Sequence, residues 1–62
     1  MFVIMVYDVN VGRVTKVLKI GRKYFNHIQN SALEGELSAA QYNKLKYEIT
    51  RAINPEHDSV RF

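Results

Sequence analysis

Apolar side chains fill every position from Phe2 to Tyr7, and the pattern stops at Asp8 and Asn10. A β-branched and aromatic run of this kind predicts a strand closed by loop-forming residues. Alternation sends Phe2, Ile4 and Val6 to one face and Val3, Met5 and Tyr7 to the other. Both sets are apolar, so the strand calls for cover on both sides. From Arg13 to Phe25 the period changes. At 100° per residue Val14, Val17, Leu18, Gly21, Tyr24 and Phe25 share one arc, about 120° wide. Arg13, Lys16, Lys19, Arg22 and Lys23 fill the opposite half, which predicts an amphipathic helix. Gly21 lies inside the apolar arc, where it costs about 1 kcal/mol relative to Ala. A close approach of the helix to a sheet would account for it.

His27 to Leu37 forms a second β region, either one long strand or two short ones turning near Asn30-Ser31-Ala32. Ser38 and Gln41 are spaced as a capping box, with the Ser as N-cap. The helix they open carries Tyr42, Leu45, Ile49, Ala52 and Ile53 on one face, and Asn54-Pro55 ends it. Ser59 to Phe62 begins a last strand. The order β-α-β-β-α-β predicts an α+β, ferredoxin-like domain: an antiparallel sheet with two helices on one face. Two helices cover one sheet face only. Val3, Met5 and Tyr7 are then expected to form the second apolar face, to be covered by a two-fold copy of the chain.

Composition supports a single domain over residues 1–62, since 62 residues and 7.2 kDa leave room for no more. A content of 47% hydrophobic and 24% charged residues excludes a disordered or low-complexity segment. No cysteine is present, which excludes a disulfide framework and a thiolate zinc site. So short a chain buries only about 60% of its unfolded surface, and oligomerisation is the natural reinforcement. The net charge of +3 is compatible with a nucleic-acid partner without being diagnostic. The longest apolar run is too short for a membrane span or a signal peptide, so no membrane partner and a cytoplasmic location are expected.

Asp8 is the first candidate for chemistry. It follows the apolar strand at its carboxyl end, where sheets of this kind present functional groups, although an aspartate there also suits a turn or a helix entry. One carboxylate is poor equipment for a metal. Two copies near a two-fold axis would make a paired-carboxylate site of the type Mg²⁺ uses with water and phosphate oxygens. The basic half of the first helix is the second candidate. It has no acid between Arg13 and Lys23 to neutralise it, and two such stripes in a dimer would track a phosphate backbone. An ordinary solvated face is the plainer alternative. Lys44, Lys46 and Arg51 are interleaved with Glu48 and read as surface. His27 and His57 lack ligand spacing, and no serine sits in a nucleophile motif.

The strand ending Val6-Tyr7-Asp8-Val9, the basic helix, the segment Gln29-Asn30-Ser31-Ala32-Leu33-Glu34-Gly35-Glu36-Leu37 and the final Asn54-Pro55-Glu56-His57-Asp58-Ser59-Val60 resemble CRISPR-associated protein 2. The order matches over essentially the whole chain, with Leu33 where the family often has Phe. The resemblance implies a homodimer with facing sheets and a Mg²⁺-dependent endonuclease acting on single-stranded RNA or double-stranded DNA. It also implies a scaffold role beside the CRISPR-associated integrase (protein 1) in spacer acquisition. It places the metal-site aspartate on Asp8 and the preceding catalytic tyrosine on Tyr7. Nucleic-acid contacts fall on Arg13, Lys16, Arg22 and Ser31. Members of the family continue into a further strand, so relative to them this arrangement reads as truncated at its C-terminus. A non-catalytic, DNA-holding dimer and a toxin ribonuclease of the virulence-associated D type are the alternatives.

Overall fold

The computed structural model describes residues 1–29 and 31–62. Strand β1 (Phe2–Asp8) leads into helix α1 (Val11–Gly21), followed by β2 (His27–Ile28), β3 (Ala32–Glu36), α2 (Ala39–Ala52) and β4 (Ser59–Arg61). The second β region is therefore two strands. Of the expected turn, Asn30 lies outside the described residues, while Gln29 N–H donates to the Ala32 carbonyl at 2.8 Å. The strands form one antiparallel sheet in the order β2-β3-β1-β4, the ferredoxin-like arrangement that the element order predicts.

The helices cover the face opposite to the one expected. Val3, Met5 and Tyr7 are buried beneath them, and Phe2, Ile4 and Val6 are left on the open side. The register on β3 explains why. Met5 lies opposite Leu33 and Val3 opposite Gly35, whereas Ile4 faces Glu34 and Phe2 faces Glu36. Helices packed over Phe2 and Ile4 would have buried two carboxylates with them, at a cost that apolar contact cannot offset. Met5, Val17, Leu33, Leu45 and Ile49 instead make a core closed to water, with Phe25 and Leu37 at its margins.

Helix α1 starts earlier and stops sooner than the Arg13–Phe25 periodicity predicts. The Asn10 side chain caps it by accepting from Gly12 N–H at 3.0 Å. Beyond Gly21 the backbone tightens, with Lys23 N–H bonded to the Ile20 carbonyl and Tyr24 N–H to that of Gly21. The turn still delivers Phe25 to the core, so a helical spacing continues where the helix does not. Gly21 answers the expectation of close approach: a Cβ there would stand 2.3 Å from Leu33 Cδ1. Helix α2 opens with the predicted capping box, both Ser38 and Gln41 bonds being present. Its apolar face is as expected, with Leu45, Ile49 and Ala52 buried.

Candidate active site and nucleic-acid interface

The carboxyl end of β1 is held on both sides. Tyr7 N–H bonds to the Ser31 carbonyl at 3.2 Å, and Asp8 pairs with Ser59 of β4. Tyr7 and Asp8 are neighbours in sequence, but their side chains leave opposite faces of the sheet. Tyr7 is buried beneath the helices, while Asp8 is exposed in line with Phe2, Ile4 and Val6. Its carboxylate therefore stands at the rim of the open apolar face. Ser31 is exposed at the same end of the sheet.

Three residues beyond the Asn10 cap, Arg13 lies on the first turn of α1, half-buried and already engaged. Its guanidinium grips Asp58, Nε reaching Oδ2 at 2.5 Å and Nη2 reaching Oδ1 at 2.9 Å. The Asp58 side chain is wholly buried and also accepts from Asn10 N–H at 2.9 Å and Asn54 N–H at 2.8 Å. Four donors on one carboxylate stabilise its charged form. Chiefly the Arg13 hydrogen bond, opposed by burial and aided by the two amides, holds Asp58 well below the usual carboxylate range. The same bond raises Arg13 further above its ordinary value.

The basic helix is thus compensated after all, by acids remote in sequence. Asp58 neutralises Arg13, and Glu48 of α2 pairs with Lys23. Glu48 also accepts from the Tyr24 hydroxyl. That bond, more than burial, pushes the phenol up to about 12, and Lys23 and Tyr24 together depress Glu48. Among the described residues Lys16, Lys19 and Arg22 form no ion pair and are exposed. Lys16 lines a groove between the helices with Tyr47 and Arg51. Arg22 lies nine residues beyond Arg13, about 13 Å along the axis at 1.5 Å per residue, and so far from Asp8.

The site as expected is therefore divided. Asp8, Ser31 and the first turn of α1 with Arg13 lie at one end of the sheet, Tyr7 faces away, and Lys16 and Arg22 belong to the helix layer. Asp58 was the residue that sequence reasoning missed as an interacting group. Its signal is an acid just before the last strand, and it has meaning only once β4 is known to lie beside β1. No three His, Asp or Glu side chains gather in one place among the described residues. Asp8 is one exposed carboxylate, and Mg²⁺ commonly takes one or two carboxylates with several waters, so a single chain could offer such an ion one carboxylate here. No helix among the described residues is long and apolar enough to cross a membrane.

The family model for CRISPR associated protein Cas2 matches residues 1–62. A relative from Thermotoga maritima, named CRISPR-associated endoribonuclease Cas2, is 63% identical over 62 residues, covering 100% of this chain and 71% of that protein. A protein of the same name from Dictyoglomus turgidum is 58% identical over the same share of each chain. A crystal structure of cas2 superposes with a TM-score of 0.92 at 49% identity, covering 98% of this chain and 69% of the other.

Proposed function

Since the chain belongs to the CRISPR-associated Cas2 family, we propose that it is an endoribonuclease of the CRISPR system, Mg²⁺-dependent and active as a two-fold dimer that works beside the CRISPR-associated integrase. The observation that carries this reading is the placement of Asp8. It is an exposed carboxylate at the rim of the open sheet face, in line with the exposed Phe2, Ile4 and Val6, which no element among the described residues covers. A second copy laid along the Phe2, Ile4 and Val6 strip, with Glu34 and Glu36 at the wet margin of the seam, would shield those three side chains and bring a second Asp8 to the same interface.

The paired Asp8 carboxylates would hold the Mg²⁺. When bound, the ion supplies Lewis acidity toward a phosphodiester. The chain's own groups do the rest. Lys16, with its charge unpaired by any acid among the described residues, holds backbone phosphate by charge, and Ser31 offers a hydroxyl at the Asp8 end of the sheet. Tyr7 keeps its ring in the core and braces the strand end from behind.

The test is cleavage of labelled single-stranded RNA and duplex DNA by the parent and by Asp8→Asn, each first sized as a dimer, with Mg²⁺ and with chelator. Metal-dependent cleavage in the parent that falls at least about a hundredfold in the variant is the expected result. Equal cleavage by both would refute it. One observation favours a second reading, that of a non-catalytic DNA-holding scaffold for spacer integration. Lys19 and Arg22 continue the exposed basic row of Lys16 beyond what holding a phosphate near Asp8 requires. A confirmed dimer that binds duplex DNA and cuts nothing would select that role.

A further inference from the structure

The buried carboxylate of Asp58 has no place in the reading above, yet it is the most fully bonded side chain at the Asp8 end of the sheet. It ties three pieces of chain together: Asn10 at the entry to α1, Arg13 one turn on, and Asn54 at the exit from α2. One hydrogen-bonded partner and one covalent neighbour of Asp58 lie close to Asp8 along the backbone or across the sheet. Asn10 follows Asp8 by two residues, and Ser59, next to Asp58 in the chain, is the strand partner of Asp8. Asp58 therefore fixes the backbone on either side of the position from which the Asp8 carboxylate projects.

Arg13 matters here through its shape. Its planar fork meets both Asp58 oxygens at once, a geometry that an ammonium group cannot reproduce. The fork edge of the guanidinium, Nε and Nη2, is turned inward onto Asp58, and the side chain is only 32% exposed, so the edge best suited to a phosphate is already occupied. We infer that Arg13 and Asp58 form a positioning clamp for Asp8, and that Arg13 serves cleavage by holding the β1–α1 loop rather than by contacting nucleic acid. This inference rests on the reading of Asp8 as the metal-holding carboxylate. Groups one step removed from a metal ligand commonly change affinity or activity by about ten- to a hundredfold when altered.

Arg13→Lys, Asp58→Asn, Lys16→Gln and Asp8→Asn decide the matter when each is compared with the parent in two assays. The first is RNA binding in chelator across a salt series; the second is cleavage across a Mg²⁺ series. Arg13→Lys and Asp58→Asn are expected to keep the parental salt slope and to raise the Mg²⁺ concentration for half-maximal rate about tenfold. Lys16→Gln is expected to keep the parental Mg²⁺ dependence and to reduce the salt slope by about 0.7. A mere loss of folded protein scales the rate alike at every Mg²⁺ concentration and leaves that midpoint unmoved, so an unmoved midpoint overturns the clamp. Full activity of Arg13→Lys also overturns it, because a phosphate contact tolerates lysine and a fork does not. If Asp58→Asn does not fold, Arg13→Lys decides alone. Parental cleavage by Asp8→Asn would overturn the nuclease reading itself, a failure distinct from that of the clamp and one that removes the clamp's object.

Discussion

The two faces of β1 are equally apolar in sequence and opposite in fate. Val3, Met5 and Tyr7 are sealed under two helices, while Phe2, Ile4 and Val6 remain 61%, 46% and 41% exposed. Among the apolar residues of the strand nothing distinguishes them, since alternation sorts residues into faces without saying which face a helix will take. The neighbour strand decides. Leu33 and Gly35 on one side of β3 welcome a helix, and Glu34 and Glu36 on the other keep it away. The lesson is that a strand apolar on both faces is read through its partner's polarity.

The largest expected effect breaks this contrast directly. Met5→Asp places an unpaired charge where no water reaches, and the domain should lose about 4 kcal/mol or more and fail to fold. Ile4→Asp, one residue away on the open face, should leave the circular dichroism spectrum of a folded chain and yield a monomer without cleavage activity. Sedimentation would show the difference at once. A dimeric Ile4→Asp would mean that the open face is not where two copies meet.

Most of the architecture was legible because its signals are local. The capping box at Ser38 and Gln41, the stop at Asn54-Pro55 and the unbroken apolar, β-branched run of β1 each announce an element within a few residues. What escaped was the set of pairings between distant segments. The stripe from Arg13 to Lys23 looks uncompensated along the chain, yet Asp58 and Glu48 reach it through the fold, across 45 and 25 positions. The end of α1 escaped for a related reason. Tyr24 and Phe25 keep a helical phase, but the backbone has left the helix after Gly21 to bring Phe25 over Gly35. Asp8 was found because it stands at the carboxyl end of an apolar strand, a local signal, whereas the face it projects from is decided by the polarity of β3. The separation of Tyr7 from Asp8 follows from alternation along the strand.

A middling effect lies in the acid limb of stability. Asp58 titrates well below the unfolded value of about 3.9. A depressed carboxylate stabilises the fold fully above the unfolded value, and that contribution is lost as pH falls through the folded one. Glu48, also depressed, adds to the same limb. Stability should therefore decline from about pH 5 downward. Asp58→Asn should flatten that decline and lower the melting temperature at pH 7 by on the order of 10 °C. A parental slope below pH 5 in the variant would place the acid sensitivity elsewhere. This limb belongs to the helix-covered side, and Ile4→Asp should leave its origin untouched.

The smallest effect measures how tightly the covered face is closed, and its sign is not given by helix propensity. Ala in place of Gly21 would by propensity favour α1 by up to about 1 kcal/mol. Against this, the new Cβ would meet Leu33 Cδ1 at 2.3 Å, and Leu33 is fully buried beside Met5 with no solvent side toward which to swing. Overpacking of that kind costs about 1–3 kcal/mol. The gain is also reduced because Gly21 is the last residue of the helix, where propensity counts least. Gly21→Ala should therefore destabilise by about 1 kcal/mol in urea unfolding, with an unchanged dependence on denaturant. The double change Gly21→Ala with Leu33→Val should cost less than the two single changes added, because the smaller side chain vacates the space that the methyl needs. Strict additivity would mean that the helix and sheet do not meet where Leu33 touches Gly21. On the open face Val6→Ala should show no such coupling with any helix residue, since none packs there.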